Sequence, residues 1–70
     1  MFRKKLNEQR IRVKKALDEM VVTNIIKDYG DINVSYVSKD IYMAEVNVLP
    51  YENKDWVEIK FNPIEVEDNE

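Results

Sequence analysis

The sequence predicts an α+β domain in which one N-terminal helix packs on a three-stranded antiparallel sheet. The first observation is a change in the spacing of apolar residues, which recur every three to four positions before Gly30 and every two positions after it. The second is the shortness of the segments between the alternating runs, which favours an antiparallel meander. The predicted elements are a helix at about 2–29, strands at about 32–37, 41–49 and 56–62, and an acidic C-terminal tail.

The helix is predicted from an apolar stripe that repeats at about 100° per residue, with Gln9 as its interruption. We extend the helix to Tyr29 because Gly30, the single glycine of the chain, suits the left-handed position that follows many helix ends. The β-branched residues after Met20 leave a short strand at 21–26 as the alternative. The stripe consists of Phe2, Leu6, Val13, Ala16, Leu17 and Met20.

The register of the first hairpin follows from keeping the apolar residues of both strands on one face. A two-residue turn would place Glu45 on the core side, whereas the three-residue loop Ser38–Lys39–Asp40 places it on the opposite side. Asp40 is then the loop residue that tolerates a left-handed conformation. The predicted pairs are Tyr36 with Tyr42, Val34 with Ala44, and Ile32 with Val46.

The second hairpin is aligned by the same criterion. This alignment sets Glu45 opposite Lys60 on the other face, and such an opposite-charge pair stabilises antiparallel strands by about 0.2–1 kcal/mol. Pro63 then lies on an edge strand, where a missing N–H is tolerated. The predicted pairs are Val48 with Val57, Val46 with Ile59, and Ala44 with Phe61.

The chain of 70 residues has no cysteine and therefore no disulfide, and domains of this size often rely on oligomerisation for stability. We expect one domain, residues 1–66, a disordered acidic tail, residues 67–70, and an increased tendency to self-associate. The longest apolar run, Ile41–Ala44, is far shorter than the roughly 20 residues that span a bilayer. We therefore expect no membrane span and a cytoplasmic protein.

The composition excludes several classes of catalytic and metal site. Because the chain has neither cysteine nor histidine, it lacks the ligands of zinc, haem and iron–sulfur centres. Gly30 alone cannot form a glycine-rich phosphate loop. The acidic residues of the tail could in principle hold Mg²⁺ or Ca²⁺, but they lack the turn residues of a calcium loop. We expect a solvated tail, no enzymatic activity, no cofactor and no metal. The acidic residues are Glu65, Glu67, Asp68 and Glu70.

Six apolar residues are candidates for a protein interface. Five of them fall on the sheet face turned away from the helix, where an exposed antiparallel sheet normally carries polar residues. Trp56 is the expected anchor because large aromatic side chains dominate interface energetics. The alternative is that these residues are scattered and partly covered by the tail through Ile64 and Val66. The candidates are Leu6, Val37, Ile41, Met43, Leu49 and Trp56.

The N-terminal segment is strongly basic. Seven of the first fifteen residues are basic and one is acidic, so this segment carries +6 and residues 16–70 carry −9, within a net charge of −3. Such a separation favours attraction of an anionic partner. Three interpretations are open, namely a solvated amphipathic helix, binding to nucleic-acid phosphates, and a membrane-surface helix. The basic residues are Arg3, Lys4, Lys5, Arg10, Arg12, Lys14 and Lys15.

Two functions of different class follow from these patterns. The first is a small non-enzymatic interaction module, a regulator or inhibitor that binds another protein or a second copy of itself. The second is a nucleic-acid-binding protein that uses the basic N-terminal helix on phosphates. The acidic remainder of the chain opposes the second function because it would repel a duplex.

Overall fold

The computed structural model describes residues 2–65, with side chains described for residues 5–64. It confirms the α+β class, with one helix packed on an antiparallel, meander-like sheet, but the sheet has four strands rather than three. The predicted disordered tail lies outside the described residues. The elements are α1 (Phe2–Val22), β1 (Ile26–Tyr29), β2 (Asn33–Ser38), β3 (Ile41–Pro50), β4 (Val57–Phe61) and a short 3₁₀ turn (Pro63–Glu65).

Helix α1 ends at Val22, well before the predicted end at Tyr29. Asn24 takes the left-handed conformation (φ 62°) that the sequence analysis assigned to Gly30. Asparagine is one of the few non-glycine residues that adopt this conformation readily. The prediction of a helix to Tyr29 is therefore wrong, because the chain reverses at Asn24. The closing bonds run from the N–H of Thr23 to Glu19 O (2.9 Å), of Asn24 to Val21 O (3.1 Å) and of Ile25 to Met20 O (2.8 Å).

The four residues after this reversal form β1, which pairs with the C-terminal end of β3. Both β1 and β4 pair with Val48, and both β2 and β4 pair with Ala44. Since one residue of a strand can face only one partner on each side, β1 and β2 lie on the same edge of β3, opposite β4. They are two parts of one interrupted edge strand. The alternative prediction of a strand at 21–26 is also wrong in its bounds, because residues 21–22 belong to α1 and the strand begins at Ile26.

Gly30 lies between β1 and β2 and still bonds to β3. Its N–H donates to Asn47 O at 2.8 Å. Its φ is not positive, and a Cβ at this position would meet only Asn47 O, at the ordinary contact distance of 3.8 Å. The structure therefore does not require glycine here, which is why the sole glycine misled the prediction of the helix end.

The predicted register of both hairpins is confirmed. Tyr36 pairs with Tyr42 and Val34 with Ala44. Asp40 has φ 59°, the left-handed conformation expected for the loop. A bulge between Tyr36 and Ser38 absorbs the extra loop residue. The pairs between β3 and β4 are Val48 with Val57, Val46 with Ile59, Ala44 with Phe61, and Glu45 with Lys60.

Four residues predicted on strands lie outside the observed strands, namely Ile32, Trp56, Asn62 and Pro63. Ile32 precedes β2 and is buried in the core, so its predicted pairing with Val46 is not part of the ladder. Pro63 begins the 3₁₀ turn after β4, and its side chain is fully buried. The N–H of Ile64 in this turn donates to Asn62 Oδ1 at 3.2 Å.

The core lies between α1 and one face of the sheet. Val13 and Leu17 of the helix are completely enclosed, as the stripe predicts, and no charged or polar residue is buried among the described residues. Partly buried side chains surround this core, among them Met20 and Val21 from the helix. The core residues are Val13, Leu17, Ile26, Ile32, Ala44, Val46 and Val48.

Candidate interaction surfaces

Strand β3 presents one face to α1 and the other to the outside. Its even-numbered residues from Tyr42 to Val48 are buried against the helix side, whereas the odd-numbered residues are exposed or half-buried. We call the outer side the open face. Of its predicted interface residues, Ile41 is 45 % exposed, Val37 56 % and Trp56 51 %. Met43 and Leu49 are partly buried.

Polar side chains occupy the middle of the open face. The Lys60 ammonium lies 3.6 Å from Glu45 and 3.9 Å from Glu58, and Asn47 pairs with Glu58 in the ladder. These ion pairs are exposed, so each adds little to stability. They nevertheless separate the apolar residues into two groups.

The two apolar groups lie at opposite ends of the open face. Val37 and Ile41 stand beside the first turn, and Leu49 and Trp56 stand beside the loop after β3, with Met43 between the groups. Eight residues of an extended strand cover about 26 Å, which is the separation of Ile41 from Leu49 along β3. The predicted interface is therefore two small apolar surfaces rather than one.

The sixth predicted interface residue, Leu6, lies on the other side of the molecule. It is half-buried and shares the helix stripe of Val13 and Leu17. One helical turn later, Gln9 also faces the sheet, and its buried Oε1 has no hydrogen-bond partner among the residues that the structure describes. The interruption seen in the sequence is thus a polar group on the covered side of α1.

Sequence reasoning missed two exposed apolar residues, Ile25 and Tyr51, at the end of the sheet where β3 ends. Ile25 is 60 % exposed just after the helix, and its carbonyl accepts a hydrogen bond from the N–H of Tyr51 at 3.3 Å. The Lys27 ammonium lies 5.8 Å from the centre of the Tyr51 ring. The helix prediction to Tyr29 hid this contact, because the contact depends on the chain reversing at Asn24.

The basic residues of α1 do not form one free cationic surface. Lys5, Arg10, Lys14 and Lys15 are exposed and Arg12 is half-buried, while the side chains of Arg3 and Lys4 lie outside the described range. Lys14 is engaged within the chain, because its ammonium donates to Asp18 Oδ2 at 3.2 Å and to the Tyr29 hydroxyl at 3.1 Å. The charge of this predicted phosphate-binding residue is therefore offset by a neighbouring carboxylate.

The Tyr29 hydroxyl in turn donates a short hydrogen bond to Asp18 Oδ1. The hydrogen bond to Tyr29 and the pairing with Asp18 raise the pKa of Lys14 above its usual value. The hydrogen bonds from Tyr29 and Lys14 lower the pKa of the Asp18 carboxyl. Because Tyr29 belongs to β1, this cluster joins the middle of α1 to the edge of the sheet.

A small open pocket of about 220 Å³ lies between the first turns of α1 and the β2–β3 hairpin. Tyr36 and Tyr42 meet edge to face in its wall, with ring centres 5.9 Å apart and ring planes at 75°. Among the predicted phosphate-binding residues whose side chains the structure describes, Lys5 lines this pocket. Sequence reasoning missed the pocket because nothing in the local pattern relates Lys5 to a hairpin more than thirty residues away. The lining residues are Lys5, Tyr36, Lys39, Asp40 and Tyr42.

Within the described part of the chain, no three metal-ligating side chains cluster together, and no helix is long and apolar enough to cross a membrane. Comparison with known proteins found no matching family model, no matching curated protein and no matching solved structure.

Proposed function

We propose that this protein is a non-enzymatic, cytoplasmic module that acts by binding another protein. The observation that carries this proposal is Trp56, which is half-exposed at the same end of the sheet as Leu49, on a face that no helix covers among the described residues. A tryptophan in this position exposes a large apolar area whose removal from water favours association at about 25 cal/mol per Å². Tryptophan is also the residue type most enriched among the energetically dominant residues of interfaces.

The surroundings of Trp56 support the same function. Leu49 follows Val48 and Trp56 precedes Val57, the last pair of the β3–β4 ladder, so both lie at this end of the sheet, and the exposed residues Ile25 and Tyr51 belong to the same end. An apolar anchor with a polar surround is the usual composition of a protein interface, and the charged residues Glu58 and Lys60 border this group.

The test compares two lysine substitutions in one loop. Trp56→Lys removes the proposed anchor, whereas Asn53→Lys adds the same charge at an exposed position nearby. We expect affinity capture from the native host to retain a partner with the wild type and with Asn53→Lys, and to lose it with Trp56→Lys. Equal retention by all three proteins would contradict the proposal.

A homodimer is one form of this proposal and is tested separately. Light scattering at tens of micromolar would give a mass above the 8.4 kDa of one chain, and Trp56→Lys combined with Leu6→Glu would lower it. A mass of one chain in the wild type at all concentrations would restrict the proposal to a different partner.

Nucleic-acid binding is the second candidate function, and the pocket beside α1 favours it. Lys5 and Lys39 lie there with Tyr36, which is 46 % exposed, and cations beside an exposed aromatic ring are the groups that bind single-stranded nucleic acids. Changing Lys5 and Lys39 to Gln would weaken binding to all sequences alike and reduce its salt dependence. Lys14→Gln serves as the control, because Lys14 is already paired with Asp18. A wild type that binds neither DNA nor RNA at about 50 mM salt would exclude this function.

A further inference from the structure

The open face of the sheet carries a surplus of negative charge. From β1 to β4, residues 26–61, seven residues are acidic and four are basic, so the sheet and its loops carry −3. Residues that pair across a ladder direct their side chains to the same face, which assigns the partners of Glu45, Asn47 and Leu49 to the open face. This face therefore has three carboxylates and one ammonium group, a net charge of −2. Its charged residues are Asp28, Glu45, Glu58 and Lys60.

The residues at the two ends of the open face do not cancel this surplus. The first turn has one basic and one acidic residue, and the opposite end has two of each, so both ends are neutral. The remaining acidic residue, Asp31, lies between β1 and β2 and has the same sign as the face. The residues that balance one another are Lys39 with Asp40 at the first turn, and Lys27 and Lys54 with Glu52 and Asp55 at the opposite end.

An occupant of the open face has to offset the charge that it covers. Lys60 lies 3.6 Å from Glu45 and 3.9 Å from Glu58, so one ammonium group faces two carboxylates. The Asp28 carboxylate accepts a hydrogen bond from the N–H of Tyr29 at 2.8 Å, which leaves its charge in place. Removing carboxylates from water is costly unless opposite charges replace the water. A cationic occupant is therefore favoured over a neutral or acidic one.

The backbone of the sheet favours a helix over an extended segment on this face. Strand β3 bonds to β1 and β2 on one side and to β4 on the other, so its backbone groups offer nothing to a segment that lies on the face. An extended segment would find no backbone partners there, whereas a helix bonds its own N–H and C=O groups. The apolar groups at Ile41 and Leu49 are about 26 Å apart along β3, which a helix of about 18 residues spans.

We propose that the open face binds a basic amphipathic helix of a partner protein, with apolar residues at both ends of the contacting side and lysine or arginine between them. This inference rests on the proposed protein-binding function and names the partner of the same face. Trp56 and Leu49 contact one apolar end of the helix, and Val37 and Ile41 contact the other. The cations in the middle lie over the surplus carboxylates and select the partner by charge.

A second copy of the chain is disfavoured as the occupant. Two open faces in contact would place −2 against −2 and repel each other. The outward side of α1 has exposed apolar residues at two points, Ile11 and Val22, as the occupant requires. Between them, at helical spacing, lie Lys15 and Asp18, whose charges cancel. The outward side of α1 therefore does not supply the cations that the open face requires.

The test titrates the full chain with the peptide acetyl-LAQLAQAKAQKAQALAQL-amide. Its leucines at both ends and its lysines in the middle fall on one side of a helix. Trp56 is the single tryptophan of the chain and the peptide contains none, so the tryptophan emission reports contact at one end of the open face. We expect a blue shift of this emission that saturates as peptide is added.

Three control peptides of the same length separate the contributions. The first has glutamate in place of both lysines, the second has glutamine in place of every leucine, and the third has proline in place of the alanine between the lysines. We expect the parent peptide to bind about tenfold or more tightly than each control. Equal binding of the first, second or third control would show, respectively, that charge plays no part, that charge acts alone, or that no helix is needed. Each of these results would overturn the proposal.

Matched protein variants locate the site. Glu45→Gln with Glu58→Gln removes two charges from the open face, and Glu8→Gln with Glu19→Gln removes the same number from exposed positions of α1. We expect peptide affinity to fall about tenfold with the first pair and to change less than about twofold with the second. If the first pair unfolds, Asp28→Asn removes one carboxylate from the face and is expected to weaken binding about threefold. Equal losses in the open-face and helix variants would overturn the assignment.

Two further outcomes separate this inference from the proposed function. A wild-type dimer that the parent peptide dissociates into single chains would identify a second copy as the occupant and overturn the basic partner helix. Absence of peptide binding in a protein that still retains a partner through Trp56 would overturn the basic helix and leave the protein-binding function standing.

Discussion

Strand β3 contributes alternate residues to the face that α1 covers and to the open face, and the two faces differ in how much of their side chains water reaches. On the covered face Tyr42, Ala44, Val46 and Val48 are each at most 5 % exposed. On the open face the ion-paired Glu45 and the exposed Asn47 stand between Ile41 and Leu49. Alternation along one strand thus produces a continuous core on one side and two separated apolar groups on the other, so the covered face holds the fold together and the open face carries the residues of the proposed interface.

The largest expected effect comes from placing a charge on each face in turn. Val46→Asp buries an unpaired carboxylate at the centre of β3, which costs several kcal/mol and is expected to unfold the domain. Asn47→Asp adds the same group on the exposed side of the neighbouring position and is expected to change stability little. Thermal melts followed by circular dichroism measure both variants. The reverse order of stabilities would mean that the faces are exchanged.

The next effect distinguishes the two sides of the helix. Leu17→Ala removes a side chain that is 1 % exposed and leaves a cavity, so we expect a loss of about 2–5 kcal/mol in the free energy of unfolding. Ile11→Ala removes a side chain that is 59 % exposed on the outer side of α1 and should cost less than about 0.5 kcal/mol. Urea unfolding curves give the two free energies, and the dependence of the free energy on urea concentration should be the same in both variants. Similar losses in the two variants would contradict the packing of α1.

A smaller effect of opposite sign concerns the polar group on the covered side. Gln9 Oε1 is buried without a hydrogen-bond partner among the described residues, and such a group costs about 1–3 kcal/mol. Gln9→Leu is therefore expected to stabilise the protein by about 1 kcal/mol. Asn7→Leu, at an exposed position of the same helix, is the control and should change stability by a few tenths of a kcal/mol. A destabilised Gln9→Leu would show that the amide has a partner in solution.

The smallest effect is a pH dependence at the junction of the helix and β1. Because the pKa of Asp18 is lowered in the folded state, its contribution to stability is present above the unfolded pKa and is lost as the pH falls through the folded pKa. Lys14 has a raised pKa, so its contribution is present below its unfolded pKa and is lost as the pH rises through the folded pKa. Asp18→Asn should reduce the acid-side decrease in melting temperature, with Glu19→Asn as the control. If the melting temperature of Asp18→Asn falls at low pH as much as that of the wild type, the exposed cluster adds no measurable stability.

The register of the sheet was predictable because parity is a strong constraint. A shift of one residue would move Val46 and Ala44 to solvent and Glu45 into the core, so the apolar pattern admits a single alignment of each hairpin. The end of the helix was not predictable in the same way. Gly30 and Asn24 can both occupy a left-handed position, and the choice between them depends on whether residues 26–29 gain more by pairing with β3 than by continuing the helix.

Some residues of the candidate site were predictable from the local sequence pattern and others were not. Trp56 and Leu49 could be assigned to the open face because their positions follow from the strand pattern. The contact of Ile25 with Tyr51 and the pocket around Lys5 could not be found, since each joins segments that are distant in the chain and close only after α1 has settled on the sheet.

By itself, the sequence determined the class of fold, the pairing of both hairpins, the helix stripe and the separation of charge, because each is expressed in the spacing of residues along a continuous segment. The tertiary structure alone decided where the helix ends, that β1 and β2 share one edge, that Lys14 and Asp18 both bond to Tyr29 of β1, and that β2 has no strand on its outer side within the described residues. These features depend on contacts between distant segments, whose free energies compete with local propensity and are not encoded in the period of any one segment.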